Sequence, residues 1–121
     1  MDVPIDFVFR CASAADHEGL RTYTERRLAF ALRRFEGRAR RVSVRLGDLN
    51  GPRRGIDSRC SITLQLRDGR HIDVEAVTAW PFASITLAAK RLNEALRREL
   101  EKAQLSVRRR HRSRFDASAG A

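Results

Sequence analysis

A chain of 121 residues can enclose one hydrophobic core and is too short for two. Its hydrophobic fraction of 42% excludes a disordered chain, while 25 Lys+Arg against 15 Asp+Glu leave a net charge of +10. That excess points to a polyanionic partner, nucleic acid first and an anionic membrane surface second.

The opening segment alternates. Val3, Ile5, Phe7 and Phe9 interleave with Pro4, Asp6, Val8 and Arg10, the period of a half-buried strand. The same stretch, MDVPIDFVFRC, carries acids where a secretory signal needs bases, and no apolar run approaches the ~20 residues that cross a bilayer. A cytoplasmic protein without a membrane partner is expected. Next, Ser13 or Asp16 can cap a first helix, and Glu18 suits its positive end. This helix is expected from about Asp16 to Glu36, stopping at Gly37. Leu20, Leu28, Ala31 and Phe35 form its apolar stripe, with Tyr23 and Phe30 on one flank.

Three alternating strands follow. Val42, Val44 and Leu46 point inward in the first, Cys60, Ile62, Leu64 and Leu66 in the second, and Ile72, Val74 and Ala76 in the third. Between them, DLNGPRRGID reads as an exposed loop carrying Arg53 and Arg54, and Asp68–Gly69 makes a tight hairpin. Alternation in every strand implies a sheet with one dry face and one wet face. Pro81 suits the first turn of a second helix ending near Ala103, with Phe82, Ile85, Ala89, Leu92, Leu96 and Leu100 on its apolar stripe. Residues 104–121 lose apolar periodicity and are expected to form a basic, disordered tail after a folded domain of residues 1–103. The fold class is therefore α+β, in the order β-α-β-β-β-α. Four strands form one sheet with two helices on one face, and the first two strands pair in parallel across a right-handed helical crossover.

The cations are not confined to the tail. Removing its five arginines and Asp116 leaves +6. Only Lys90 and Lys102 are lysines, so 23 cations are guanidiniums, which bind phosphate bidentately and stack on bases. Arg26–Arg27 and Arg33–Arg34 form a ridge beside Tyr23 and Phe30, with Glu18, Glu25 and Glu36 on the opposite flank. Charged helix faces are often merely solvated. Here, though, the ridge, the basic second helix and the Arg53–Arg54 loop together suggest a phosphate-binding surface.

Catalytic chemistry finds little support. His17, His71 and His111 are scattered, and no glycine-rich loop cradles a nucleotide. His71 and Asp73 share a strand face as a surface pair, and Asp73 and Glu75 read as solvated rather than metal-binding. Two cysteines, Cys11 and Cys60, are too few for a disulfide scaffold or a four-cysteine metal site and suit small core positions. Trp80 reads as a plug at the core edge, with base stacking as the alternative. No cofactor, metal or small-molecule substrate is expected.

In EGLRTYTERRLAFALRRF, the positions of Glu18, Leu20, Arg21, Tyr23, Arg27 and Phe35 resemble the first-helix pattern of the ribosome hibernation promoting factors. These proteins are also called ribosome-associated inhibitors or sigma-54 modulation proteins. WPFASITLAAKRLNEALRR resembles the family's second helix through Phe82, Ala83, Ile85 and Arg91–Leu92. It departs from it at Trp80, Ser84 and Thr86, so Thr78 or solvent must serve the helix start. The resemblance spans Val3 to Ala103. It implies a fold similar to double-stranded-RNA-binding domains and a non-catalytic translation inhibitor of starved or stationary cells. Such a protein occupies the messenger and tRNA channel of the small ribosomal subunit through ribosomal RNA contacts. It implies RNA contact at Arg21, Arg27, Arg91 and Arg98. Charge geometry adds Arg26, Arg33, Arg34, Arg53, Arg54, Lys90 and Lys102. Long family members append a ribosome-dimerising domain, for which this chain is too short. A general duplex-RNA module and a sigma-54 adaptor are the competing readings.

Overall fold

The computed structural model describes residues 5–12, 17–48 and 57–119, with side chains undescribed at Glu36, Asp48 and residues 105–119. Strand β1 (Asp6–Cys11) leads into helix α1 (His17–Ala31) and a 3-10 turn (Arg33–Arg38). Strands β2 (Ala39–Asp48), β3 (Ser58–Leu66) and β4 (His71–Thr78) follow, then helix α2 (Pro81–Ala119). The expected capping residues Ser13 and Asp16, the strand start at Val3 and Pro4, and the Arg53–Arg54 loop lie outside the described residues.

The sheet runs β1-β2-β3-β4, with β1 and β2 parallel and the other neighbours antiparallel. A helical crossover is long enough to return the chain for parallel pairing, while short connections force reversal. The second hairpin uses a three-residue loop, Arg67–Asp68–Gly69, closed by Leu66 N–H donating to Arg70 O at 2.8 Å and Gly69 N–H to Leu66 O at 3.1 Å. Gly69 takes φ of 95°, a conformation open to glycine because it lacks a Cβ. Asp68 accepts from Arg70 Nε and from its main-chain N–H, both at 2.9 Å; those bonds, the side-chain one foremost, hold its carboxyl below the usual range.

One core joins sheet and helices. Leu20, Leu28 and Leu32 from the first helical segment meet Val42, Val44, Ile62 and Leu64 from the sheet and Ile85, Leu92 and Leu96 from α2. Each fully buried aliphatic side chain contributes about 1.5–3 kcal/mol by leaving water. Thr24 is also fully buried, and its hydroxyl donates to Leu20 O at 2.6 Å, so no polar group there is left unmatched.

Three expectations need correction. The first helix stops at Ala31 rather than Glu36, because the chain tightens into the 3-10 turn, with Phe35 N–H donating to Leu32 O, before Ala39 enters β2. Asn93 on α2 donates its side-chain amide to Ala31 O at 2.7 Å, satisfying a carbonyl at that early end. Helix α2 continues to Ala119 rather than ending near Ala103. Residues 104–119 contain no glycine or proline, and extending an existing helix costs far less than nucleating one. Loss of apolar periodicity reports loss of burial, which is a separate matter from helicity. Finally, Trp80 is 72% exposed and plugs nothing. Thr78 Oγ1 accepts from Trp80 N–H and donates to Trp80 O, so it organises the residue before α2.

Candidate nucleic-acid interface on the two-helix face

Helices α1 and α2 run side by side in the same direction. Tyr23 meets Phe82 edge to face at 5.1 Å and shares a short hydroxyl hydrogen bond with Thr86, and eight residues later Ala31 meets Asn93. At 100° per residue, Arg27 and Phe30 share α1's Tyr23 side, while Lys90 and Arg97 share the Thr86–Asn93 side of α2. The seam between the helices thus carries cations and aromatic edges, with Glu94 and Glu101 interspersed among the α2 cations. Phe30 is 72% and Phe82 42% exposed.

The expected RNA-binding residues separate into groups. Arg26, Arg33, Arg34 and Lys90 are exposed, and Arg27 is half-buried; none of the five makes an ion pair with a described residue. Arg33 and Arg34 belong to the 3-10 turn rather than to α1, continuing the cationic ridge around its end. Arg27 Nε is buried without a hydrogen-bond partner among the described residues, so the stem is anchored against the protein and the charged end has a fixed base. Arg21 stands apart on the acidic flank of α1, paired with Glu25 at 3.4 Å. Arg91 lies on the β4 side of α2 and donates to Glu75 O at 2.6 Å, a structural contact. Arg98 and Lys102 share that side, around a shallow depression with His71, Asp73 and Glu99. Arg53 and Arg54 lie outside the described residues.

Sequence reasoning left Arg97 out of the site. Its position seven residues after Lys90, two helical turns on, was the available signal. Among the described residues no group of three His, Cys, Asp or Glu could hold a metal ion, and no helix is long and apolar enough to cross a membrane. His71 Nε2 and Asp73 Oδ2 are 3.7 Å apart and exposed, and Asp73 accepts instead from Thr63 Oγ1 at 2.6 Å. Burial pushes the Cys60 thiol up to about 12, making it a poor nucleophile.

Residues 15–104 match the family model described as sigma 54 modulation protein / S30EA ribosomal protein. The chain belongs to that family. The matched span takes in α1, strands β2 to β4, the first part of α2 and the cations of the seam. Among solved structures, the Protein Y N-terminal domain of Thermus thermophilus is similar with a TM-score of 0.63 and 26% identity, covering 79% of this chain and 98% of that one. A ribosomal subunit interface protein from Coxiella burnetii gives a TM-score of 0.66 at 13% identity, covering 80% and 99%, and supports the fold alone. No curated protein matches the chain by sequence. Membership makes this a chain of a ribosome-associated, sigma-54 modulation family, with the mixed four-stranded sheet and two helices expected from its sequence.

Proposed function

We propose that the protein is a non-catalytic, cytoplasmic hibernation factor. It occupies the messenger and tRNA channel of the small ribosomal subunit and holds ribosomal RNA through its two-helix face. The observation that carries this reading is the sorting of charge. Arg26, Arg27, Arg33 and Arg34 gather on one side of the first helical segment and Lys90 stands across the seam, none with a carboxylate partner among the described residues, while Glu25 is kept on the far flank with Arg21; on α2, Glu94 and Glu101 are interspersed with the cations. The first helix thus keeps its signs apart, where one that needed only solubility would intermingle them. Guanidiniums on a rigid αβ scaffold replace counterions on RNA phosphates, and the shape of folded RNA, rather than base sequence, sets the docking. Occupancy then excludes messenger and tRNA without any covalent step. The resemblance of the first-helix segment to hibernation factors and the family match both support the ribosome as partner.

The test is sedimentation of the protein with purified small subunits and whole ribosomes across a salt series. Co-sedimentation at low salt and release at high salt are expected. A protein that stays at the top of the gradient at low salt with ribosomes in excess overturns the proposal. Equal affinity for an arbitrary RNA duplex would replace it with a general duplex-binding role, and salt- and nuclease-insensitive binding to protein would replace it with an adaptor role.

A further inference from the structure

The sheet face turned away from both helices is also sorted by charge. Strand register places Arg10 of β1 beside Arg45 of β2, then Ser61 of β3 and Glu75 of β4. The next row on this face reads Val8, Ser43, Thr63 and Asp73, and the one after it Asp6, Arg41, Gln65 and His71. Arg10, Arg41 and Arg45 therefore cluster on β1 and β2 with one carboxylate, Asp6, among them, while Arg59 of β3 faces the carboxylates of β4. The β4 carboxylates are already engaged: Glu75 lies 3.3 Å from Arg59, and Asp73 takes the Thr63 hydroxyl. Arg41 reaches Asp6 only at 3.4 Å, with both side chains open to solvent. Arg10 and Arg45, direct neighbours, form no ion pair with a described residue. Like charges side by side on paired strands oppose that pairing, so the arrangement carries a cost that an anion would remove.

Over this half of the sheet lies an open groove of about 430 Å³, floored by Ser43, Ser61 and Thr63 and walled by Arg10, Arg41 and Arg45. We propose that this groove is a second RNA site, taking the phosphodiester backbone of one RNA strand laid along β2. The proposal rests on the RNA-binding reading for the class of its ligand and is independent of the two-helix seam. Arg41 and Arg45 are four residues apart on β2, about 13 Å at the rise of a strand, so the cations follow a line rather than converge on a point. That layout suits successive phosphates better than a single small anion. Forked guanidinium donors, with the hydroxyls of Ser43 and Ser61 beneath them, match phosphate oxygens. Among the described residues no aromatic side chain lines the groove, so contact is with the backbone and carries no base preference. The domain then presents RNA contacts on both faces of its single sheet-and-helix sandwich, which would lodge it between two RNA segments.

The full chain, labelled with ¹⁵N, is titrated with a short oligouridylate while the arginine Nε–Hε resonances are followed. Arg10, Arg41 and Arg45 should shift along with the seam arginines, and inorganic phosphate at equal phosphate concentration should shift the sheet set far less. An Arg10→Gln/Arg45→Gln variant should lose two phosphate contacts and flatten the slope of log K on log salt by about 1.4, so that raising salt fourfold weakens it about sevenfold less than wild type. Sheet resonances that stay still while the seam arginines move overturn this site and leave the two-helix reading standing. Seam resonances that stay still while the sheet set moves do the reverse. Equal shifts with inorganic phosphate reduce the groove to a simple anion site and also overturn the proposal. The wild-type titration decides the matter even if the double variant fails to fold.

Discussion

Replacing Arg26, Arg33, Arg34 and Lys90 together by glutamine tests the two-helix face most directly. All four are exposed and, among the described residues, make no ion pair. Each substitution should change stability by no more than about 0.5 kcal/mol. Arg27 is left in place because its stem is half-buried, and Arg91 because it holds the β4 edge through Glu75 O. If each of the four neutralises one ribosomal RNA phosphate, each contributes about 0.7–0.9 to the slope of log K against log salt. Their sum is about 2.8–3.6, so raising salt from about 50 to about 200 mM should weaken the wild type about 50–150-fold more than the variant. The assay is equilibrium binding of labelled protein to small subunits at four salt concentrations, with thermal unfolding run in parallel. A variant that keeps the wild-type slope and an unchanged Tm would show that these cations do not sit on phosphates, and the reasoning from charge sorting would fall.

Other consequences concern the scaffold. Leu92 is fully buried, and Leu92→Ala should cost about 3–5 kcal/mol through lost transfer energy and a residual cavity, read by urea unfolding. Asn93→Ala should cost about 1–3 kcal/mol by leaving Ala31 O without its donor, with faster amide exchange confined to the last turn of α1; uniform exchange would contradict the link. Cys60 holds its proton to about 12 in the fold, against an ordinary value of 9.0. Above pH 9 the unfolded chain binds fewer protons than the native one, so this stabilisation is complete below pH 9 and is lost as pH rises toward 12. The stability difference between wild type and Cys60→Ala should therefore narrow by about 2 kcal/mol from pH 8 to pH 10.5, and a constant difference would refute the buried thiol's part in it.

The strands were legible because alternation is a local property. Val42, Val44, Cys60, Ile62 and Leu64 declare their inward side by spacing alone, and the structure buries all five. Helix ends were less legible. The carbonyl at the early stop, Ala31 O, is met by an amide 62 residues away, and periodicity within α1 contains no trace of Asn93. The continuation of α2 was missed because burial was used as a proxy for helicity. In the candidate site, the run Arg26–Arg27 and Arg33–Arg34 was visible as charge. That Arg21 meets Glu25 was available as an i,i+4 spacing, whereas that Arg91 is spent on a main-chain carbonyl was not.

Sequence by itself determined the element order, the single dry face of the sheet, the cationic excess and the family pattern in the two helices. Each of these depends on residue type and on spacing within one segment. Only the tertiary structure decided which guanidiniums remain free of a carboxylate, that α1 and α2 lie parallel with a shared seam, and that Arg10 stands next to Arg45 on the opposite face. Those facts come from the meeting of segments dozens of residues apart. Hydrogen bonds act over a few ångströms and screened charge interactions over roughly 10 Å, so they are settled by where the folded chain places its charges and not by how many it carries.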